Sequence, residues 1–299
     1  MPAPDRLRVA AVQYFIRPVS SFDEFAEQAR SVVASAAEYG VHAVLLPEYF
    51  STQLVALEDP GRSPRELLRG LARHADTTVE LLAELARRHG VYLIGGGVPT
   101  PDPADPDVVY NDCPVVAPDG RVETQGKLHL TRWEAEHSGV TPRTAFRVFD
   151  TAIGRLAVNI CYDVEFPELA RAAARAGCSV LFCPTCTEDR RGYLRVRYCA
   201  QARAIENQLY VVQAVAVGGL PRVPSASLHY GLACVLTPSD VAFARDGVLV
   251  EGETNAETVV VGELDLAALH RSREDGTVLP LRDSEPSAAL AAETRVVSL

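Results

Sequence analysis

Residues 154–168 read Gly154-Arg155-Leu156-Ala157-Val158-Asn159-Ile160-Cys161-Tyr162-Asp163-Val164-Glu165-Phe166-Pro167-Glu168. The apolar run before Cys161 has the length and composition of a buried strand. Pro167 suits the first position of a helix, and Gly177 suits its end, so the alanine-rich stretch from Pro167 to Ala176 reads as helix. A strand feeding a helix is the unit from which α/β layers are built. Cys161 falls at the join. A helix opening directly after it would turn unpaired N–H groups and a positive dipole end toward the thiol. Such surroundings lower a cysteine pKa and favour the thiolate, the form that attacks carbonyl and nitrile carbons. The other reading of the same position is a free cysteine filling space in a core.

The same alternation extends in both directions. Leu7–Gln13, Val41–Leu46 and Val91–Gly96 read as strands, with helical spacing over Phe22–Tyr39 and over Thr78–His89, where Gly90 supplies a stop. Val108–Val116 and Arg121–Thr124 flank Asp119-Gly120 as a hairpin. Arg191–Asn207 reads as helix, and Ser179–Phe182, Leu209–Val217, Gly231–Leu236 and Thr258–Leu264 read as strands. Hairpins mixed with crossovers predict one α/β domain over residues 1–272, with two mixed sheets and helices outside them. The polar, proline-dotted stretch 273–299 predicts an extended C-terminal arm.

Bulk properties restrict function. A formal net charge of -10 over 299 residues argues against nucleic acid or an anionic membrane as partner, since both require a basic face. No apolar run approaches membrane-spanning length, and Met1-Pro2-Ala3-Pro4-Asp5 lacks the regions of a signal peptide, so a cytoplasmic location is expected. Seven scattered cysteines fit reduced surroundings better than a disulfide framework. Cys183-Pro184-Thr185-Cys186 has no second pair at metal spacing and closes a predicted strand, histidines are not at metal spacing, and no cofactor is expected. Gly95-Gly96-Gly97 is not followed by a lysine or a helix start, which points to close backbone packing instead of a phosphate loop.

Three other segments bear on Cys161. Glu48, in Pro47-Glu48-Tyr49-Phe50, lies past the carboxyl end of a buried strand, where ligands of α/β folds gather. Lys127 lies in Gly126-Lys127-Leu128-His129-Leu130, after the hairpin; both it and Glu48 could equally be solvated surface charges. Ala202-Arg203-Ala204-Ile205-Glu206-Asn207-Gln208 ends a helix, and its charges are expected to hold layers together. A thiol attacking an amide needs a general base, an oxyanion stabiliser and a proton donor for the leaving amine.

The blocks PEYF, GKLHL, NICYDVEFPE and ARAIENQLYV resemble, in order and spacing, the signature blocks of the nitrilase superfamily of carbon–nitrogen hydrolases, over about Leu7 to Leu264. The resemblance implies a four-layer α-β-β-α sandwich, Glu48 as general base, Lys127 at the oxyanion and Cys161 as nucleophile. It also implies a second glutamate downstream of the lysine: Glu134, with Glu136 in reserve. The Tyr162 N–H becomes a second oxyanion donor. Tyr162-Asp163 after the cysteine, where nitrile-hydrolysing members carry Trp-Glu, implies an amide substrate. Nitrilase, N-carbamoyl hydrolase and a silent binding protein of the same fold remain as alternatives. Tyr49, Phe50, Trp133 and Tyr162 are the aromatics expected toward substrate, with ordinary packing as the other outcome for each. Arg190, Arg195 and Arg197, and the turn Thr237–Gly247, are expected near the mouth. His129 is expected to make a structural hydrogen bond. The resemblance further implies a homodimer or a multiple of it.

Overall fold

Arg6–Ile16 is apolar at nearly every position, and as a strand it buries both of its faces. Leu7, Val9 and Ala11 enter one core, while Ala10, Val12, Tyr14 and Ile16 enter another. This follows from the period of two along a strand, and it marks β1 (Arg6–Ile16) as a central element. In the computed structural model, which describes residues 4–298, the other strands among the described residues are β2 (Ala43–Leu45), β3 (Tyr92–Ile94), β4 (Val98–Pro101), β5 (Val109–Val116), β6 (Val122–Gly126), β7 (Val140–Thr141), β8 (Val148–Thr151), β9 (Gly154–Val158), β10 (Val180–Thr185), β11 (Tyr210–Gly218), β12 (Cys234–Leu236), β13 (Val248–Glu251) and β14 (Thr258–Asp265). The helices are α1 (Phe22–Ala37), α2 (Pro64–Ala72), α3 (Ala75–His89), α4 (Pro167–Arg175), α5 (Arg190–Asn207), α6 (Leu266–Asp275), α7 (Pro280–Asp283) and α8 (Ser287–Ala292). Residues 1–3, read for a leader, and residue 299, the last of the arm, lie outside the described residues.

The fold is mixed α/β. The strands join in a single hydrogen-bonded network in the order β4-β5-β3-β2-β1-β11-β10-β9-β8. β1 links its two halves: Val9–Ala11 pair parallel with β2, Gln13–Ile16 parallel with β11, and Arg6–Gln13 antiparallel with β14. The two sheets read from sequence are thus continuous through one long strand. α1 and α3 pack with the even-numbered face of β1, and α4 and α5 share a core with the odd-numbered face.

α2 has no counterpart in the sequence reading, although Ser63-Pro64-Arg65-Glu66 carries a capping box. Ser63 Oγ accepts from Glu66 N, and Ser63 N donates to the Glu66 carboxylate at 2.9 Å, a pairing that contributes about 1 kcal/mol to a helix start. The predicted extended arm is also corrected. Arg273 lies inside α6, where its guanidinium donates to the Gln208 carbonyl at 2.8 Å and the Cys178 carbonyl at 2.7 Å. Those buried carbonyls need donors, which continues the helix past 272. Two short helices, α7 and α8, follow in place of extended chain.

Candidate active site

β2 ends at Leu45, and Leu46-Pro47 carry the chain to Glu48, which is 1% exposed. The glycines opposite create the space for this turn. Gly96 has φ +65°, and a Cβ there would stand 2.0 Å from the Pro47 carbonyl oxygen. A Cβ on Gly97 would meet Asn111 Oδ1 at 2.3 Å and Glu48 Cγ at 3.1 Å. The close backbone packing read from sequence is therefore present, and it directs Glu48 inward. Glu48 Oε1 accepts from Lys127 Nζ at 2.7 Å and from Asn111 Nδ2 at 2.9 Å.

Lys127 follows β6 directly, and its N–H donates to the Asn111 carbonyl at 2.8 Å. Its ammonium, 2% exposed, also donates to both oxygens of Glu134, at 2.6 and 2.7 Å. Glu134 is further held by the Thr131 N–H and hydroxyl, both at 2.9 Å, and by the Tyr49 hydroxyl at 3.0 Å. Of the two glutamates considered, Glu134 joins the cluster; Glu136 is exposed and pairs with Arg132 at 2.8 Å.

Cys161 lies three residues past the end of β9, with φ +49°, the left-handed region that costs a non-glycine residue about 1–2 kcal/mol. Its thiol is nearly buried and points to the Cys186 carbonyl, with Sγ 3.8 Å from that oxygen. A helix does open at Cys161, but as a short 3-10 helix, Cys161–Glu165; the α-helix read from Pro167, α4, follows it. The predicted lowering of the thiol pKa is reversed. Burial and the nearby Glu48 carboxylate push it well above its ordinary value, against the pull of Lys127, so the resting group is a neutral thiol.

The remaining titrations follow from three charges sharing one dry space. Burial raises Glu48 to about 7, opposed by Lys127 and reinforced by the Glu134 charge. Burial also acts on Glu134, yet the bidentate ammonium and the Thr131 donors hold its carboxyl below the usual range. Burial alone would strip the Lys127 proton; the two carboxylates outweigh it and keep the ammonium charged. Glu134 thus takes the larger share of the lysine charge, which leaves Glu48 able to exchange a proton near neutrality.

Asp163 and Arg203 connect this cluster to the frame. Asp163 accepts from Leu128 N at 3.2 Å, His129 N at 2.8 Å and His129 Nδ1 at 2.9 Å, tying the Lys127 segment to the Cys161 turn. His129 stacks on Phe166 at 3.6 Å between ring centroids, so its expected structural hydrogen bond is present within a packed setting. Arg203 of α5 donates to the Val164 and Glu165 carbonyls at 2.9 and 3.0 Å and pairs with Glu206 at 2.9 Å. That is the layer-bridging role expected of its block.

Glu48, Lys127, Glu134 and Cys161 all border one cavity of about 540 Å³. Tyr49, Trp133 and Tyr162 line it too; Phe50 does not, because it is fully buried between Tyr14 and Phe25. Arg195 reaches the wall, but Arg190 and Arg197 do not, nor does the turn 237–247. That turn instead serves the C-terminal segment, through Asp240 bonded to Ser272 and Thr277. Sequence reasoning missed Asn111, which orients Glu48, and α2, whose Leu67, Leu68 and Leu71 form an apolar wall. The capping box could have found α2; nothing local distinguishes Asn111.

Comparison with known proteins gives the same grouping. The family model for carbon-nitrogen hydrolase matches residues 8–274. The probable hydrolase YhcX of Bacillus subtilis is 41% identical over 93% of this chain, and the chain spans about half (53%) of that relative's length. Omega-amidase NIT2-B of Xenopus laevis is 31% identical over 93% of this chain and 94% of its own. Among solved structures, Saccharomyces cerevisiae Nit3, a member of branch 10 of the nitrilase superfamily, matches with a TM-score of 0.74 at 26% identity, covering 90% of this chain and 93% of that one. Family model, full-length relative and fold neighbour converge, and the chain belongs to the carbon–nitrogen hydrolase family, within the nitrilase superfamily.

Proposed function

We propose that the protein hydrolyses the C–N bond of a small amide through a thioester on Cys161, releasing ammonia or an amine and a carboxylic acid. The observation that carries this reading is a neutral buried thiol beside a carboxylate raised to about 7, itself held by a buried lysine. A thiol so far from ionisation needs a base at the moment of attack, and Glu48 has the proton affinity to serve. Glu48 takes the thiol proton as Cys161 Sγ bonds to the carbonyl carbon. The oxyanion is held by Lys127 and by the Tyr162 N–H, which makes no hydrogen bond within the described residues. Collapse breaks the C–N bond, and Glu48 protonates the departing nitrogen. Glu48 then deprotonates a water that attacks the thioester, returning the thiol. Glu134 keeps Lys127 charged and in place throughout.

The amide is favoured over a nitrile by Tyr162-Asp163 and by the omega-amidase activity named for the NIT2-B relative, which makes a terminal carboxamide the first class to test. Tyr49, Trp133 and Tyr162 are its aromatic contacts in this reading. The finer architecture we infer is the four-layer α-β-β-α sandwich, with the segment after α6, from residue 276 onward, exchanged between copies in a homodimer. Seven unpaired cysteines support a reducing, cytoplasmic setting. The test is ammonia release from matched amide and nitrile, with intact-mass detection of an acyl adduct on Cys161. Turnover that survives Cys161→Ala, or a nitrile preferred over its amide, defeats the reading; carbon dioxide released with the ammonia redirects it to an N-carbamoyl hydrolase.

A further inference from the structure

His229 stands in the wall of the active-site cavity, only 4% exposed, and neither of its ring nitrogens has a partner among the described residues; Nδ1 is wholly enclosed. A buried imidazole without a hydrogen bond costs about 1–3 kcal/mol, so it persists where something repays it. Its position is built. His229 N donates to the Gly218 carbonyl at 2.7 Å. The next residue, Tyr230, is clamped to Thr187 by two hydrogen bonds of 2.7 Å. Thr187 follows Cys186, whose carbonyl faces the Cys161 thiol. The imidazole is thus fixed relative to the nucleophile by backbone, on a loop unconnected with the Glu48–Lys127–Glu134 cluster.

We propose that His229 is a specificity-determining residue that hydrogen-bonds an uncharged polar group on the acyl portion of the substrate, remote from the scissile bond. This rests on the amidase reading above. The charges around the cavity favour a group of that kind over a carboxylate. Burial keeps the imidazole in its neutral form. The cations outside the cluster are already engaged, Arg195 by Glu165 at 2.8 Å and Arg191 by Asp189 at 3.1 Å. Glu188, also on the wall, adds a carboxylate with no ion pair among the described residues. A carboxylate on the substrate would meet no cation outside an ion pair there and would face Glu188. A hydroxyl or neutral amide finds a donor or acceptor in the imidazole, depending on its tautomer.

The test compares butyramide with 4-hydroxybutyramide, and hexanamide with 6-hydroxyhexanamide. Binding is measured by calorimetry on Cys161→Ala protein, so that it does not depend on turnover. We expect the hydroxylated member of at least one pair to bind about tenfold tighter, a difference typical of a site built around a polar contact. Adding His229→Ala should bring that pair within about twofold while sparing the unsubstituted amide, and His229→Gln should keep the preference. No preference in either pair overturns the proposal. So does an equal loss for both members on His229→Ala, which is the mark of a merely structural residue. Wild-type turnover is assayed separately: amides that bind with the expected preference but are never hydrolysed defeat the amidase reading alone.

Discussion

Glu48 carries the most consequential physics at the residue scale. Its raised pKa, about 7, means that the basic form gains population as pH rises through neutrality. The proposed mechanism therefore predicts that kcat/KM climbs with pH along an acidic limb centred near 7. Glu48→Gln should remove that limb and reduce kcat by about 10²–10⁴-fold, the usual contribution of a positioned acid–base group. The same shift has a stability consequence. A carboxyl whose folded pKa exceeds its unfolded value favours the folded state fully below the unfolded pKa, and that contribution is lost as pH rises through the folded value. Thermal melts should then show wild type losing stability between about pH 5 and 8 relative to Glu48→Gln. In the proposed mechanism Glu134 acts on Lys127, to which both its oxygens are bonded, and not on the reacting atoms. Glu134→Gln is expected to lower kcat about 10–1,000-fold with KM little changed, measured by steady-state kinetics, because it weakens oxyanion stabilisation and leaves the aromatic walls intact.

At the scale of elements, the site exists only because separate turns are locked to one another. Asp163 joins the Lys127 segment to the Cys161 turn through three acceptor contacts. Removing a buried acceptor strands its donors, so Asp163→Ala should destabilise the fold by about 2–4 kcal/mol in denaturant unfolding and depress activity with it. Gly96 is a sharper case. Its positive φ disfavours any side chain, and a methyl group there would stand 2.0 Å from the Pro47 carbonyl oxygen. Gly96→Ala should cost about 2–4 kcal/mol and displace Glu48, read as a fall in both Tm and kcat. Here the limits of sequence reading become physical. Strands and helices with strong apolar patterns, such as those over 6–16 and 22–37, are legible because burial dictates their periodicity. α2 carries both a cap and an apolar stripe, Leu67, Leu68 and Leu71, but it spans only nine residues, a window in which helix and loop are hard to tell apart by periodicity. The helix expected at Cys161 is a short 3-10 helix, held by local bonds and tied to the frame by Arg203 and by the Asp163 contacts to Leu128 and His129, partners distant in sequence.

For the molecule as a whole, the predicted assembly and the C-terminal segment belong together. α8 buries no side chain within one copy, and of α7 only Leu281 packs, half-buried, against the core, although the chain continues through both to its last described residue. If they pack on a second copy, sedimentation of the full chain should give twice the monomer mass. Removing residues 276–299 should weaken that dimer at least about tenfold and lower the Tm of the remaining fold modestly, since within one copy the segment loses little more than Leu281 against the core and Thr277 with Asp240.

The resemblance of the blocks around Glu48, Lys127 and Cys161 to those of the nitrilase superfamily is enough to nominate these three, with Glu134 or Glu136 as the second glutamate. The family, the mixed α/β class and the chemistry suited to such a set are open to reading from the sequence alone. Tertiary structure decided what no local pattern encodes: that Glu134 and not Glu136 faces Lys127, that Asn111 holds Glu48, and that β1 binds two halves into one network. It also set the direction of the Cys161 thiol's pKa shift. A thiol's pKa is set by how much water surrounds it and which charges stand nearby, and both are created only when turns distant in sequence close over Cys161.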